Sequence, residues 1–105
     1  EGEAPAGFIL CRAIAGEAEI LTLAVDPALR RRGLARALVE AAAGAGEMAG
    51  AEAMFLEVAH DNLPAIGLYQ AAGFDRVGLR RGYYDRGAAP AADAIVMRRD
   101  LGRKV

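Results

Sequence analysis

One segment limits the possible folds of this chain more than any other. In this segment a strand stops at a proline, a basic loop with a glycine follows, and a helix then begins. The strand ends at Val25-Asp26-Pro27, because proline cannot donate to a β-ladder, and a helical pattern begins at Leu34. The start of a helix leaves backbone N–H groups unpaired at the positive end of the helix dipole. An anion such as a pyrophosphate fits there, and Gly33 allows it to approach the backbone closely.

The loop before this helix is rich in arginine. Residues 30–32 and Arg36 offer guanidinium groups that form charge-assisted bonds to phosphate. The same segment also fits a tight strand-to-helix turn beside a solvated run of arginines. The sequence has no Gly-Lys-Ser/Thr of a Walker loop, and the first glycine of Gly-x-Gly-x-x-Gly is missing. The loop alone therefore predicts a phosphate site without identifying the ligand.

The apolar pattern predicts five strands and two helices in the order β-β-α-β-α-β-β. The strands are predicted over residues 8–14, 18–25, 53–59, 74–79 and 93–101. The first helix runs from Leu34 to about Ala49. The second helix has Asn62 as its N-cap and ends at Gly73. Residues 83–92 are predicted to form a loop.

Two of these elements show a periodic apolar pattern. The first helix carries apolar residues at helical spacing, namely Leu34, Leu38, Ala41, Ala42, Ala45 and Ala49. Gly44 and Gly46 weaken that helix by roughly 1 kcal/mol each relative to alanine. In the strand over 53–59, alternation predicts Met54, Leu56 and Val58 on one face and Glu57 on the other.

Composition excludes several classes of protein. The 105 residues fit one domain, residues 1–105, and 54% hydrophobic with 26% charged residues is typical of a globular chain. The net charge of −1 argues against nucleic acid or an acidic membrane as the main partner. No apolar run is long enough to span a membrane, and the acidic start is unlike a signal peptide, so we expect a cytoplasmic protein. One cysteine, Cys11, and one histidine, His60, exclude an internal disulfide, a metal cluster, and Cys-His or Ser-His-Asp catalysis of the usual kind.

Several motifs together resemble one family. The run from Val25 to Leu38 resembles the acetyl-CoA-binding motif Arg/Gln-x-x-Gly-x-Gly/Ala of the GNAT superfamily of N-acetyltransferases. A later motif of that superfamily is similar to Phe55-Leu56-Glu57-Val58, Asp61-Asn62, Ala65, Leu68-Tyr69 and Gly73-Phe74. Residues 81–84 and 93–97 most resemble the RimI-type acetyltransferases of ribosomal protein bS18. The resemblance extends from about Gly7 to Leu101.

This resemblance implies an α/β (α+β) fold, with a mixed and mainly antiparallel sheet flanked by helices. The superfamily's fold normally begins with a strand, two helices and another strand, and these N-terminal elements are missing from this chain, which starts at the hairpin. In such enzymes those elements form part of the acceptor site. A smaller departure is Ala35, at a motif position where glycine is common and alanine is tolerated.

The resemblance also implies residues that bind the co-substrate acetyl-CoA. We expect three residues to lie with their backbone groups alongside the pantetheine and to polarise the acetyl carbonyl, namely Leu23, Ala24 and Val25. This role requires their strand to separate from the neighbouring strand, and the alternative is ordinary strand pairing. Residues expected to cradle the pyrophosphate are Arg31, Arg32, Gly33, Leu34, Ala35 and Arg36. Asn62 is expected to contact the CoA as well as to cap its helix.

Two side chains are expected to be catalytic. Glu57 is the general base for the attacking amine, and the alternative is an exposed glutamate at a strand edge. Tyr69 is the general acid for the leaving thiolate, and the alternative is a core tyrosine. Deprotonating an α-amine at pH 7 costs roughly 1 kcal/mol, whereas a lysine costs roughly 4.6 kcal/mol. A single glutamate therefore favours a protein N-terminal amine as acceptor.

The expected function is N-acetylation of a protein N-terminus, with bS18 as the family-level candidate. Tyr83 and Tyr84 either line the groove for that acceptor or simply pack. Two alternatives stay open, namely a GNAT enzyme acting on lysine or a small-molecule amine, and a CoA-binding module without catalysis. A basic nucleic-acid module is disfavoured by the net charge.

Overall fold

The computed structural model describes residues 7–26, 33–86 and 89–102, with side chains described there except at 83–86 and 89–91. Its elements are β1 Gly7–Ile14, β2 Glu17–Val25, α1 Leu34–Met48, β3 Ala53–Ala59, α2 Leu63–Ala71, β4 Asp75–Arg86 and β5 Ala89–Asp100. This order confirms the predicted one. The strands form one sheet in the order β1-β2-β3-β5-β4, in which only β2 and β3 are parallel. The predicted mixed, mainly antiparallel sheet is therefore confirmed.

The core lies between the two helices and one face of the sheet. Met54, Leu56 and Val58 of β3 are buried there, as the alternation predicts. Burying a side chain of this size fully stabilises a fold by about 1.5–3 kcal/mol. On the other sheet face β1 exposes three large apolar side chains, Phe8, Leu10 and Ile14. Among the described residues no helix is long and apolar enough to cross a membrane.

The helix that the apolar spacing predicts is confirmed as α1, but that spacing does not identify its buried face. The buried residues of this helix are Val39, Ala42, Ala43 and Gly46, and Ala42 alone belongs to the apolar set named above. Alanine and glycine occupy so many positions that helical spacing fits more than one face. Packing selects the face with Gly46, because a Cβ there would lie 3.1 Å from Leu101 Cδ1 and 3.3 Å from Ala18 Cβ. Gly46 therefore allows the helix to approach the sheet closely.

The predicted loop over 83–92 is wrong, because β4 and β5 continue as an antiparallel pair almost to their connection. Tyr84 pairs with Ala92, and Arg86 pairs with Ala89. The ladder between β3 and β5 ends at Ala94. The part of β5 that precedes Ala94 therefore has one edge that does not pair with β3, and proline is tolerated at such an edge. Register shifts interrupt the pairing of β4 with β5. Within one of these shifts the Gly82 N–H donates a hydrogen bond to Asp93 Oδ1 at 2.7 Å.

Candidate active site

The site begins where β2 parts from β3. The two strands pair over three matches, from Glu17 with Ala53 to Glu19 with Phe55, although both strands continue. Beyond that point β2 has an extra residue, since Cys11 of β1 pairs with Ile20 and Leu10 pairs with Thr22. This bulge at Leu21 bends and twists β2. The backbone over 23–25 therefore lies outside the β2–β3 ladder, as its predicted role requires.

A cleft of about 300 Å³ occupies the opening between the strands. Its walls are residues 20–23 of β2, residues 56–59 of β3, and Asn62, Ala65, Leu68 and Tyr69 at or in α2. Four predicted site residues thus meet in one space, namely Leu23, Glu57, Asn62 and Tyr69. Most of the other wall residues are apolar, which suits a ligand with a long, weakly polar chain.

The N-terminus of α1 has the features of an anion site. Gly33 is its N-cap, with φ 76° in the left-handed region, and no side chain of the described residues caps the helix. The first bond of the helical ladder runs from the Ala37 N–H to Gly33 O, at 3.0 Å. The N–H groups of residues 34–36 therefore lie before the ladder begins. The first turn carries no acidic residue, and no described atom lies within 4 Å of a Cβ built at Gly33. Arg31 and Arg32 lie outside the described residues.

Arg36 points along the helix rather than toward its N-terminus. Its Nε donates to Glu40 Oε2 at 3.1 Å, and Arg99 of β5 binds the same carboxylate through two nitrogens at 3.0 and 3.1 Å. These hydrogen bonds, that of Arg99 foremost, hold the pKa of Glu40 below its usual value. Glu40 was not predicted, and it fastens α1 to the sheet. The backbone N–H of Arg36 is thus better placed than its side chain to meet an anion at this end.

Glu57 is a largely enclosed carboxylate with a charged partner. Its side chain is 17% exposed, and its Oε2 accepts a hydrogen bond of 2.7 Å from Arg80 Nη1. Glu57 lies beyond the last β2–β3 pair, but its low exposure does not fit the alternative of an exposed glutamate at a strand edge. Sequence reasoning missed the partner because Arg80 falls just beyond the predicted strand over 74–79. A register shift between Arg76 and Gly78 also changes the face on which Arg80 lies, and simple alternation along β4 cannot show this.

Tyr69 is both a core residue and a wall of the cleft. It is 7% exposed, and its ring meets Phe74 edge to face, with centroids 5.7 Å apart. Asn62 caps α2 as predicted, its Oδ1 accepting from the Ala65 N–H at 3.3 Å. Asn62 also lines the cleft, so a ligand contact through its side chain would use the same amide group that caps α2.

Comparison with known proteins assigns the family. The family model for the acetyltransferase (GNAT) family matches residues 1–74. This chain belongs to the GNAT family. It is 44% identical over 86 residues to N-alpha-acetyltransferase RimI of Mycobacterium tuberculosis, covering 82% of this chain and 51% of that protein. It is 39% identical over 92 residues to the [ribosomal protein bS18]-alanine N-acetyltransferase of Salmonella typhimurium, covering 88% of this chain and 62% of that protein.

A solved structure supports the same assignment. The ribosomal-protein-S18-alanine N-acetyltransferase from Escherichia coli superposes with a TM-score of 0.84 at 35% identity, covering 95% of this chain and 64% of that chain. The GNAT chain described here therefore spans about half to just under two thirds of the length of these relatives.

Within this GNAT domain the predicted site residues fall into three groups. Leu23, Glu57, Asn62 and Tyr69 share the cleft. Gly33, Leu34, Ala35 and Arg36 form the start of α1. Ala24 and Val25 continue β2 beyond the cleft wall, where they pair with Phe8 and Gly7 of β1. The side chains of Tyr83 and Tyr84, predicted to line an acceptor groove or to pack, lie outside the described part.

Proposed function

We propose that this protein transfers an acetyl group from acetyl-CoA to the α-amine at the N-terminus of a protein, with ribosomal protein bS18 as the candidate acceptor. The observation that carries the proposal is the cleft between β2 and β3, because it joins Glu57, Tyr69 and the edge of β2 in one space. The names of the relatives from Mycobacterium tuberculosis, Salmonella typhimurium and Escherichia coli support the reaction class. A ribosomal acceptor implies a reaction in the cytoplasm.

Acetyl-CoA fits the described residues in two parts. The N–H groups of residues 34–36, which come before the first bond of the helical ladder, suit the pyrophosphate, and Gly33 leaves room for it. The mostly apolar cleft suits the pantetheine chain, whose amides can pair with the β2 backbone over 23–25 outside the β2–β3 ladder. The thioester then lies near Glu57 and Tyr69.

The chemistry is direct transfer. The amine nitrogen attacks the thioester carbonyl carbon, a β2 backbone N–H stabilises the developing oxyanion, and the carbon–sulfur bond then breaks. Glu57 accepts the proton that the nitrogen loses, directly or through a water, and Tyr69 gives its proton to the departing CoA thiolate. The products are an acetylated N-terminus and CoA. No acyl-enzyme forms, so Cys11 takes no part.

The acceptor is tested by mass spectrometry on matched substrates. The first is a peptide with the bS18 N-terminal sequence and a free α-amine. The second is the same peptide blocked at its N-terminus and carrying one lysine, and the third is a small polyamine. We expect acetylation of the first well ahead of the others, because a lysine costs roughly 3.6 kcal/mol more than an α-amine to deprotonate at pH 7. Faster acetylation of the lysine or polyamine would contradict the proposed acceptor.

Binding is tested separately by the thermal shift with acetyl-CoA. A ligand at 100 times its Kd stabilises the fold by about 2.7 kcal/mol, which raises Tm by on the order of 10 °C in a domain of this size. A clear shift together with turnover supports an enzyme. A shift without turnover on any of the three substrates would support a CoA-binding module instead.

A further inference from the structure

Arg80 reaches Glu57 across an intervening strand. In the sheet β5 lies between β3 and β4, with Val96 opposite Glu57 and Ala94 opposite Arg80. Both charged side chains lie on the face opposite the helices, where the small Ala94 leaves room between them. Nη1 and Oε2 are 2.7 Å apart, with Arg80 54% exposed and Glu57 17% exposed. The more enclosed carboxylate is thus held by a partner that solvent can reach.

Glu57 lies at the boundary of two openings. It lines the 300 Å³ cleft described above and also a wider opening of about 390 Å³, whose wall includes Phe55 and Val96. A glutamate side chain has several rotamers, so its carboxylate can address one opening or the other unless something fixes it. The hydrogen bond from Arg80 fixes one oxygen.

We infer that Arg80 is a positioning residue for Glu57, and that its fixed positive charge favours binding of the acceptor amine in the neutral, nucleophilic form. This inference rests on the proposed function. A carboxylate alone would hold an ammonium ion as an ion pair, and an ammonium ion has no lone pair for attack. The guanidinium stays charged at all working pH values, so the pair with Glu57 is close to neutral. A nearby cation also disfavours the protonated amine by like-charge repulsion.

Other charged and titratable groups among the described residues line the two openings or lie beside them. On the strand side Arg12 and Glu19 bind each other at 3.0 Å, and Glu17 adds an exposed acid at the wall of the wider opening. Arg98 of β5 pairs with Asp100 and covers the Phe55 ring, with its guanidinium carbon 5.8 Å from the ring centroid. Tyr69 is the titratable group that α2 brings to the cleft.

The test compares kcat across pH, from about pH 6 to about pH 10, because kcat reports the groups of the bound complex. The variants are Arg80→Gln, Arg80→Lys, and Arg76→Gln as a matched loss of charge on β4. We expect Arg80→Gln to lower kcat about tenfold at pH 7 and to move the rise of kcat toward higher pH, because the bound amine keeps its proton longer. We expect Arg80→Lys to keep most of the wild-type kcat at pH 7 and most of the wild-type pH profile, and Arg76→Gln to behave as the wild type.

An Arg80→Gln profile equal to that of Arg76→Gln would overturn the inference. Tm and acetyl-CoA binding are measured on each variant to identify loss of folding. If Arg80→Gln does not fold, the Arg80→Lys variant tests the inference in its place. A pH profile of kcat equal to that of the wild type in Arg80→Lys supports the role of the charge. A loss of kcat that is the same at every pH, with no shift of the profile, contradicts that role. A wild-type protein that acetylates no amine would instead overturn the proposed function, and that result is seen before any variant is compared.

Discussion

Glu19 and Phe55 form the last matched pair between β2 and β3, and the extra residue Leu21 follows two positions later on β2. A single bulge therefore separates a paired part of the sheet from an open one. The paired part builds the core beneath Met54, and the open part exposes strand backbone beside Glu57. The site is thus made by a local defect in an otherwise regular sheet, and its position depends on one inserted residue.

We predict that Gly33→Ala weakens acetyl-CoA binding, whereas Gly50→Ala does not. Both glycines have left-handed φ angles, 76° and 88°, and no described atom lies within 4 Å of a Cβ built at either. Both substitutions should therefore lower stability similarly, by roughly 1–2 kcal/mol. Gly33 begins α1 where the pyrophosphate is proposed to bind, while Gly50 follows the other end. Calorimetric titration with acetyl-CoA checks the difference, and equal affinities in the two variants would remove α1 from the binding site.

We predict that Tyr69→Phe lowers kcat about 100-fold while leaving the fold intact. The phenylalanine keeps the edge-to-face contact with Phe74 and loses only the hydroxyl group that protonates the thiolate. Phe74→Leu is the opposite control, since Phe74 is 1% exposed, and shrinking it should lower Tm while sparing kcat. Steady-state kinetics and thermal melts on both variants check this. An unchanged kcat in Tyr69→Phe would leave Tyr69 as a core residue only.

Local signals were sufficient to predict much of this fold. The bounds of β3 and the cap at Asn62 are confirmed, because alternation, an asparagine and a following proline act within a few residues. The strand pair over 83–92 was missed because its alanine, glycine and proline content is typical of loops. Only pairing with a neighbouring strand holds it extended.

The candidate site was predictable in its residue types and not in its geometry. The bulge at Leu21 could not be seen, because Leu21 and Leu23 fit regular alternation equally well. The partner of Glu57 depends on β5 lying between β3 and β4, and strand order is a property of the whole sheet. Arg80 therefore stayed unassigned although its charge was evident.

We predict that Gly44→Ala stabilises the protein and Gly46→Ala destabilises it. Alanine favours a helix interior over glycine by about 1 kcal/mol at both positions. Gly44 is exposed and open, so this gain is kept. At Gly46 the new methyl group would press on Leu101 and Ala18, and overpacking of this kind costs about 1–3 kcal/mol. Denaturant unfolding of the two variants checks the opposite signs, and a gain in both would mean that the Leu101 side chain yields.

We predict that the stability contributed by Glu40 disappears in acid. Hydrogen bonds from Arg99 and then Arg36 lower the pKa of Glu40 in the folded state below its unfolded value of about 4.3. The unfolded state therefore binds more protons in this range, so the contribution is complete above about pH 4.3 and is lost as pH falls through the lower, folded pKa. Glu40 is 42% exposed, so solvent screening limits the effect to about 1 kcal/mol.

Glu40→Gln should accordingly be less stable than the wild type at about pH 7, and the difference should shrink at about pH 2 and in high salt. Glu47→Gln is the matched control on the same helix. It removes a negative charge from the last turn of α1, where the helix dipole disfavours one, so its stability at neutral pH should stay equal or rise slightly. Urea unfolding at both pH values checks the two variants. A Glu40→Gln deficit of the same size in acid would show that the substitution acts through packing, because a lost ion pair cannot cost stability once the carboxyl group is protonated.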